Sequence, residues 1–130
     1  MAKVLVIDDE AHARVLLEIH LSRRGYDVVL AGDGWQGLQL YHQEHPDVIL
    51  LDLNMPELDG VTVLKKIRAV DLKQPVIIWA GDTPPETERQ VRALGVSEFI
   101  EKDSSIHLLV DTLKSLLTPP PLAMDGSAVN

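Results

Sequence analysis

Short unbroken runs of Val, Ile and Leu alternate along this chain with longer stretches whose apolar residues recur every three or four positions. The runs are Lys3–Ile7, Asp27–Ala31, Asp47–Leu51, Pro75–Trp79 and Ser97–Glu101. They are rich in β-branched residues and do not alternate with polar ones, which predicts strands covered on both faces. The stretches between and after them predict five helices. In the first, Ala13, Leu16, Leu17 and Leu21 share a face, and Gly25 follows where the helix would stop. The second carries Trp35, Leu38 and Tyr41; the fourth carries Thr87, Val91 and Leu94. In the third, Val63, Leu64, Ile67 and Val70 fall together while Lys65, Lys66 and Arg68 point elsewhere. The fifth has a stripe of Ile106, Leu109, Val110, Leu113, Leu116 and Leu117, with Ser104 or Ser105 placed to cap its start.

Five β-then-α units imply right-handed crossovers and a five-stranded parallel sheet with helices on both faces, a doubly wound α/β domain. The expected domain is 1–117. The stretch 118–130 has three consecutive prolines, which stop the last helix, followed by small or polar residues, and reads as a disordered tail or the stub of a linker.

Composition narrows the function classes. A chain of 130 residues can bury a core without disulfides, and with no cysteine it has no thiolate metal site and no cysteine nucleophile. The absence of cysteine also suits a reducing, cytoplasmic setting. The formal net charge of −8 disfavours nucleic acid and anionic membranes as direct partners and favours cations. Only Val4 to Ile7 precedes the first acidic residues, too short for a signal peptide, and no run is long enough to span a membrane.

In an open parallel sheet, ligands bind beyond the carboxyl ends of the strands. Here the first strand runs into Asp8-Asp9-Glu10, the third into Asp52-Leu53-Asn54, the fourth into Ala80-Gly81-Asp82 and the fifth into Lys102-Asp103. Asp8, Asp9 and Asp52 should therefore meet, with Lys102 arriving from another strand. Crowded carboxylates must protonate, pair or bind a cation, and a hard divalent ion such as Mg²⁺ satisfies oxygen ligands of this kind. Asp8-Asp9 alone reads equally as acids decorating a helix N-terminus, and Lys102 alone as a solvated lysine.

The segments "VLVIDDE", "DVILLDLNMPELDG" and "EFIEK" resemble the receiver domain of two-component response regulators, and the resemblance covers about residues 3 to 117. It implies a flavodoxin-like three-layer sandwich with strand order 2-1-3-4-5. It implies Asp52 as phosphoacceptor from a histidine kinase or phosphotransfer protein, and Lys102 as a contact to a phosphoryl oxygen. It implies Mg²⁺ on Asp8, Asp9, Asp52 and the Asn54 backbone carbonyl, with Asp8 acting directly or through water. Output would pass through a downstream protein or an output domain outside this chain. The face of the fourth helix, fifth strand and fifth helix would serve as contact surface for a monomer or weak dimer.

Two positions, Ala80 and Asp103, depart from the family pattern. Where receivers place a threonine or serine switch hydroxyl stands Ala80, and the aromatic switch position is Phe99, which has no hydroxyl. Losing that contact removes one charge-assisted hydrogen bond, about 1.5–3 kcal/mol of the difference between the two states. Thr83 lies in the following loop and is a poor substitute; a water in the space left by Ala80 is the better one. Asp103 stands where most receivers have proline, so the Lys102–Asp103 bond is expected to be trans. Asp82 either orients a water or is solvated. His42 and His45 read as solvated, His20 as a core residue, and Trp79 as packing beneath the fourth helix.

Three functions follow in order. The first is a phosphoacceptor receiver with an atypical switch, not an enzyme beyond slow autodephosphorylation. The second is a binding module recognised with or without phosphate. The third is a Mg²⁺ phosphatase using an aspartyl nucleophile, disfavoured because Asn54 stands where such enzymes place a second aspartate as acid.

Overall fold

The computed structural model describes residues 1–117; the expected tail at 118–130 lies outside the described residues. The chain alternates β1 (Lys3–Ile7), α1 (Ala11–Ser22), β2 (Asp27–Ala31), α2 (Gly34–Glu44), β3 (Val48–Leu51), α3 (Gly60–Val70), β4 (Val76–Ala80), α4 (Pro85–Leu94), β5 (Glu98–Glu101) and α5 (Ile106–Leu117). The strands form one sheet in the order β2-β1-β3-β4-β5, all parallel, which is the flavodoxin-like doubly wound fold. Three strands start one residue later than the apolar runs suggest. Asp47 and Ser97 already donate to the Lys3 and Val76 carbonyls, at 2.8 and 2.7 Å, but lie ahead of the regular ladder.

Side chains of successive strand residues point to opposite faces, so the sheet carries two cores. On one side Leu5, Ile7, Ile49, Leu51, Ile78 and Ala80 pack with Tyr41 of α2, Val63, Leu64 and Ile67 of α3 and Val91 of α4. On the other Val4, Val6, Leu50, Ile77 and Trp79 pack with Leu17 and Leu21 of α1 and Leu109, Val110 and Leu113 of α5. Trp79 therefore lies on the α1–α5 side, not beneath α4: it is one residue from Ala80 and so on the opposite face.

Several periodic residues miss the core. Leu16 (49% exposed), Val70 (67%) and Trp35 (57%) stand at the edges of their helical stripes, and each stripe is satisfied by a narrower set. Trp35 instead lies beside the Lys66 ammonium, 5.9 Å from its ring centroid. His20 is half-buried near the end of α1 and is not a core residue.

The helix starts on the carboxyl side of the sheet are set by local chemistry. Asp33 and Asp59 accept from Gln36 and Thr62 N–H at 2.8 and 2.9 Å, and Ser105 accepts from His107 at 3.1 Å. Helix α3 begins unusually close to the sheet. A Cβ at Gly60 would collide with the Asp52 carbonyl oxygen and sit 2.7 Å from Leu53 Cα, so only glycine fits there.

Candidate functional site

The adjacent parallel strands β1 and β3 end level with each other, and both run straight into aspartate. Asp52 N–H donates to the Ile7 carbonyl at 2.9 Å, and Asp8 N–H donates to Ala31 at 3.1 Å, so the ladder itself places the two residues. Asp8 and Asp52 are the only buried charged side chains among the described residues, at 1% and 4% exposure. Asp9 is exposed beside them, and carboxylate oxygens of Asp8, Asp9 and Asp52 lie within 4.8 Å of one another.

Lys102 enters from the end of β5. Its Nζ is 2.8 Å from Asp8 Oδ2, 3.4 Å from Asp52 Oδ2 and 3.6 Å from Glu10 Oε1. Burial would lower the pKa of this ammonium, but its contact with Asp8 and the charges of Asp52 and Asp8 outweigh that and hold it above the ordinary lysine value. Burial, reinforced by the Asp8 carboxylate, pushes Asp52 up to about 6, against the pull of Lys102 and of the Asn54 N–H that donates to Asp52 Oδ1 at 3.3 Å. One cation thus only partly neutralises three carboxylates.

The remaining deficit is visible in the hydrogen bonding. Asp8 Oδ1 takes the Glu10 N–H at 2.9 Å, whereas Asp8 Oδ2 is buried and, despite its short ion pair with Lys102, has no aligned hydrogen-bond donor. A buried carboxylate oxygen with a free lone pair, two further carboxylates within reach and a raised Asp52 pKa suit a hard divalent cation. Helix capping accounts for less. The N-cap of α1 is Glu10, the first turn contains no acid, and Asp9 makes no cap bond there.

Ala80 ends β4 fully buried, on the same face as Val76 and Ile78. Phe99 is half-buried against that core, with the Arg92 guanidinium 5.5 Å from its ring centroid. Thr83 turns its hydroxyl back onto the Gly81 carbonyl at 3.0 Å, so its hydrogen bond is spent within its own loop. Asp82, His42 and His45 are exposed, and no peptide bond among the described residues is cis, including Lys102–Asp103. The sequence reading missed two neighbours of the cluster. Glu10 reaches Lys102, and Arg14 donates to the Asp8 main-chain carbonyl at 2.7 Å. Helical period could have put Arg14 one turn beyond Glu10, but not turned towards the strand end.

A sequence model of the response regulator receiver domain matches residues 4–114. A probable transcriptional regulator, ycf27, of Guillardia theta is 40% identical over 115 residues, which make up 88% of this chain and 45% of that protein. The sporulation initiation phosphotransferase F of Bacillus subtilis is 30% identical over 88% of this chain and 93% of its own length. The solved structure of the Vibrio cholerae chemotaxis protein CheY4 superposes with a TM-score of 0.83 at 31% identity, covering 90% of this chain and 99% of that one. The chain spans about half the length of the transcriptional regulators that it matches. Among the described residues no helix is long and apolar enough to cross a membrane.

Proposed function

The chain belongs to the response regulator receiver domain family of two-component systems, and on that premise we propose that Asp52 is its phosphoacceptor. The observation that carries this reading is the shared lysine: one ammonium, that of Lys102, lies against both buried carboxylates at adjoining strand ends. In the transfer, an Asp52 oxygen bonds to phosphorus as the N–P bond of a phosphohistidine breaks, and the departing imidazole nitrogen takes a proton from solvent. Asp52 must be ionised to attack, a form that Lys102 and the Asn54 N–H both favour. Lys102 then exchanges a carboxylate partner for a phosphoryl oxygen, and so stabilises charge where it develops.

Mg²⁺ on Asp8, Asp9, Asp52 and the Asn54 carbonyl would neutralise the phosphoryl oxygens during this transfer. The donor is a histidine kinase or phosphotransfer protein, and output goes to a downstream protein or to an output domain of a longer regulator, in the cytoplasm. Acetyl phosphate with Mg²⁺, read by intact mass, tests the chemistry. A gain of one phosphoryl group that Asp52→Asn abolishes supports it, and no gain in the native chain overturns it.

A second reading is favoured by Ala80. Without a hydroxyl at the end of β4, phosphate on Asp52 has one fewer means of moving the structure, and partners would then recognise the domain whether phosphorylated or not. Beryllofluoride separates the two. Changes in amide exchange across α4, β5 and α5 support the switch; changes confined to the site support the constitutive module.

A further inference from the structure

Arg14 projects from the first turn of α1 across two strand ends. Its Nη1 donates to the Asp8 main-chain carbonyl at 2.7 Å, and its guanidinium lies over Gly32, where a Cβ would meet Nη1 at 3.3 Å and Cζ at 3.5 Å. Gly32 is itself held by Gln36 Oε1, which accepts its N–H at 2.7 Å. The arginine is thus bonded to the end of β1 and lies over the loop after β2, where glycine at 32 leaves room for it. None of the family chemistry described above uses it.

The carbonyl it holds belongs to the Asp8–Asp9 peptide group. That group is planar, so fixing its oxygen fixes the orientation of the plane from which Asp9 departs. Asp8 has other restraints: the ladder bond to Ala31, the Glu10 N–H and the Lys102 ion pair. Asp9 is exposed, with no side-chain hydrogen bond among the described residues to direct it, yet its carboxylate joins the cluster. We propose that Arg14 is a positioning residue for the divalent-cation site, acting through the Asp8 carbonyl to aim the Asp9 carboxylate. The inference rests on the reading of Asp8, Asp9 and Asp52 as the Mg²⁺ site.

Positioning and electrostatics predict opposite signs. A guanidinium beside an acidic cluster repels Mg²⁺, so if charge were its only effect, Arg14→Ala would tighten binding. If it aims Asp9, Arg14→Ala weakens binding, by about tenfold for the loss of a partner that orients a ligand. Arg14→Lys keeps the charge and one donor with poorer geometry, and should lose a few-fold.

The test is titration of the full chain with MgCl₂, followed by amide chemical shifts, on the native protein, Arg14→Ala, Arg14→Lys and Asp9→Asn, with Tm measured without Mg²⁺. Weaker binding in both arginine variants, alongside an Asp9→Asn loss of binding, supports the proposal. Unchanged or tighter binding in the arginine variants overturns it while leaving the metal site standing. Native protein that binds no Mg²⁺ overturns the site, and the inference with it. If Arg14→Ala shows no cooperative melt, Arg14→Lys decides alone, and affinity equal to native overturns the proposal.

Discussion

The Lys102 N–H donates to the Ala80 carbonyl at 2.7 Å, continuing the β4–β5 ladder one residue beyond the Ala80–Glu101 pair. The backbone of Lys102 is therefore set by the sheet, and its ammonium reaches Asp8 and Asp52 although Asp103, not proline, follows it. Register keeps the lysine's aim, and the same bond fixes the end of β4, where Ala80 carries no hydroxyl.

Replacing Lys102 with Met removes the only cation within 4.0 Å of the Asp8 and Asp52 carboxylates among the described residues. Two buried carboxylates are left facing each other, and breaking such a pair costs about 3 kcal/mol. Because the penalty belongs to the ionised forms, Lys102→Met should lower Tm strongly near pH 7 and much less near pH 4. Thermal melts across that range check the expectation, and a pH-independent loss would mean that the effect is one of packing.

Asp52→Asn should do the reverse. The folded state holds the Asp52 proton up to about pH 6, whereas the unfolded chain releases it near the ordinary value of 3.8. Between those values the folded state binds the extra proton, so stability falls as pH rises through the window and the full cost stands above it. Asn cannot ionise, so the variant should melt near the native temperature at about pH 4 and above it at pH 7. Saturating Mg²⁺ should narrow the gap by stabilising the native carboxylates; melts in MgCl₂ and in chelator measure it.

Gly60 makes a steric prediction. A Cβ there meets backbone, the Asp52 carbonyl and Leu53 Cα, and backbone cannot rotate out of the way as a side chain can. Gly60→Ala should destabilise the domain by about 3 kcal/mol, at the upper end of overpacking costs. Because the displaced atoms belong to Asp52 and Leu53, it should also slow phosphorylation by acetyl phosphate. Urea melts and intact mass report the two effects, and a variant as stable as the native chain would show that α3 can withdraw.

The apolar runs identify all five strands because both sheet faces are buried, yet for that reason they do not reveal which face each residue takes. Trp79 shows the consequence: in "VIIWA" every residue is apolar, so the phase that puts Trp79 with Ile77 on the α1 side appears only in three dimensions. Leu16 and Val70 match helical spacing but fall at stripe edges, where a small domain has too little surface to cover them. The acids and Lys102 were legible because strand ends converge in any parallel sheet. Arg14 was not, since its partner is a main-chain carbonyl, which leaves no mark in the sequence.

Ala80→Ser tests whether the missing hydroxyl is what limits the switch. The Ala80 side chain is fully buried at the end of β4, so serine adds one oxygen with little volume, at a cost of about 1 kcal/mol until that oxygen finds a partner. With a phosphoryl mimic on Asp52 the hydroxyl gains a charge-assisted acceptor, worth about 1.5–3 kcal/mol in that state alone. Only a contact made in one state shifts the balance between two, so the equilibrium should move by tenfold or more. Beryllofluoride should then alter amide exchange around Phe99 and along α4 more in Ala80→Ser than in the native chain. Arg92, stacked on the Phe99 ring and paired with Glu88 at 2.9 Å, should be among the first contacts to rearrange. Equal responses in the two proteins would mean that Ala80 does not limit the switch and that the signal leaves Asp52 by another route.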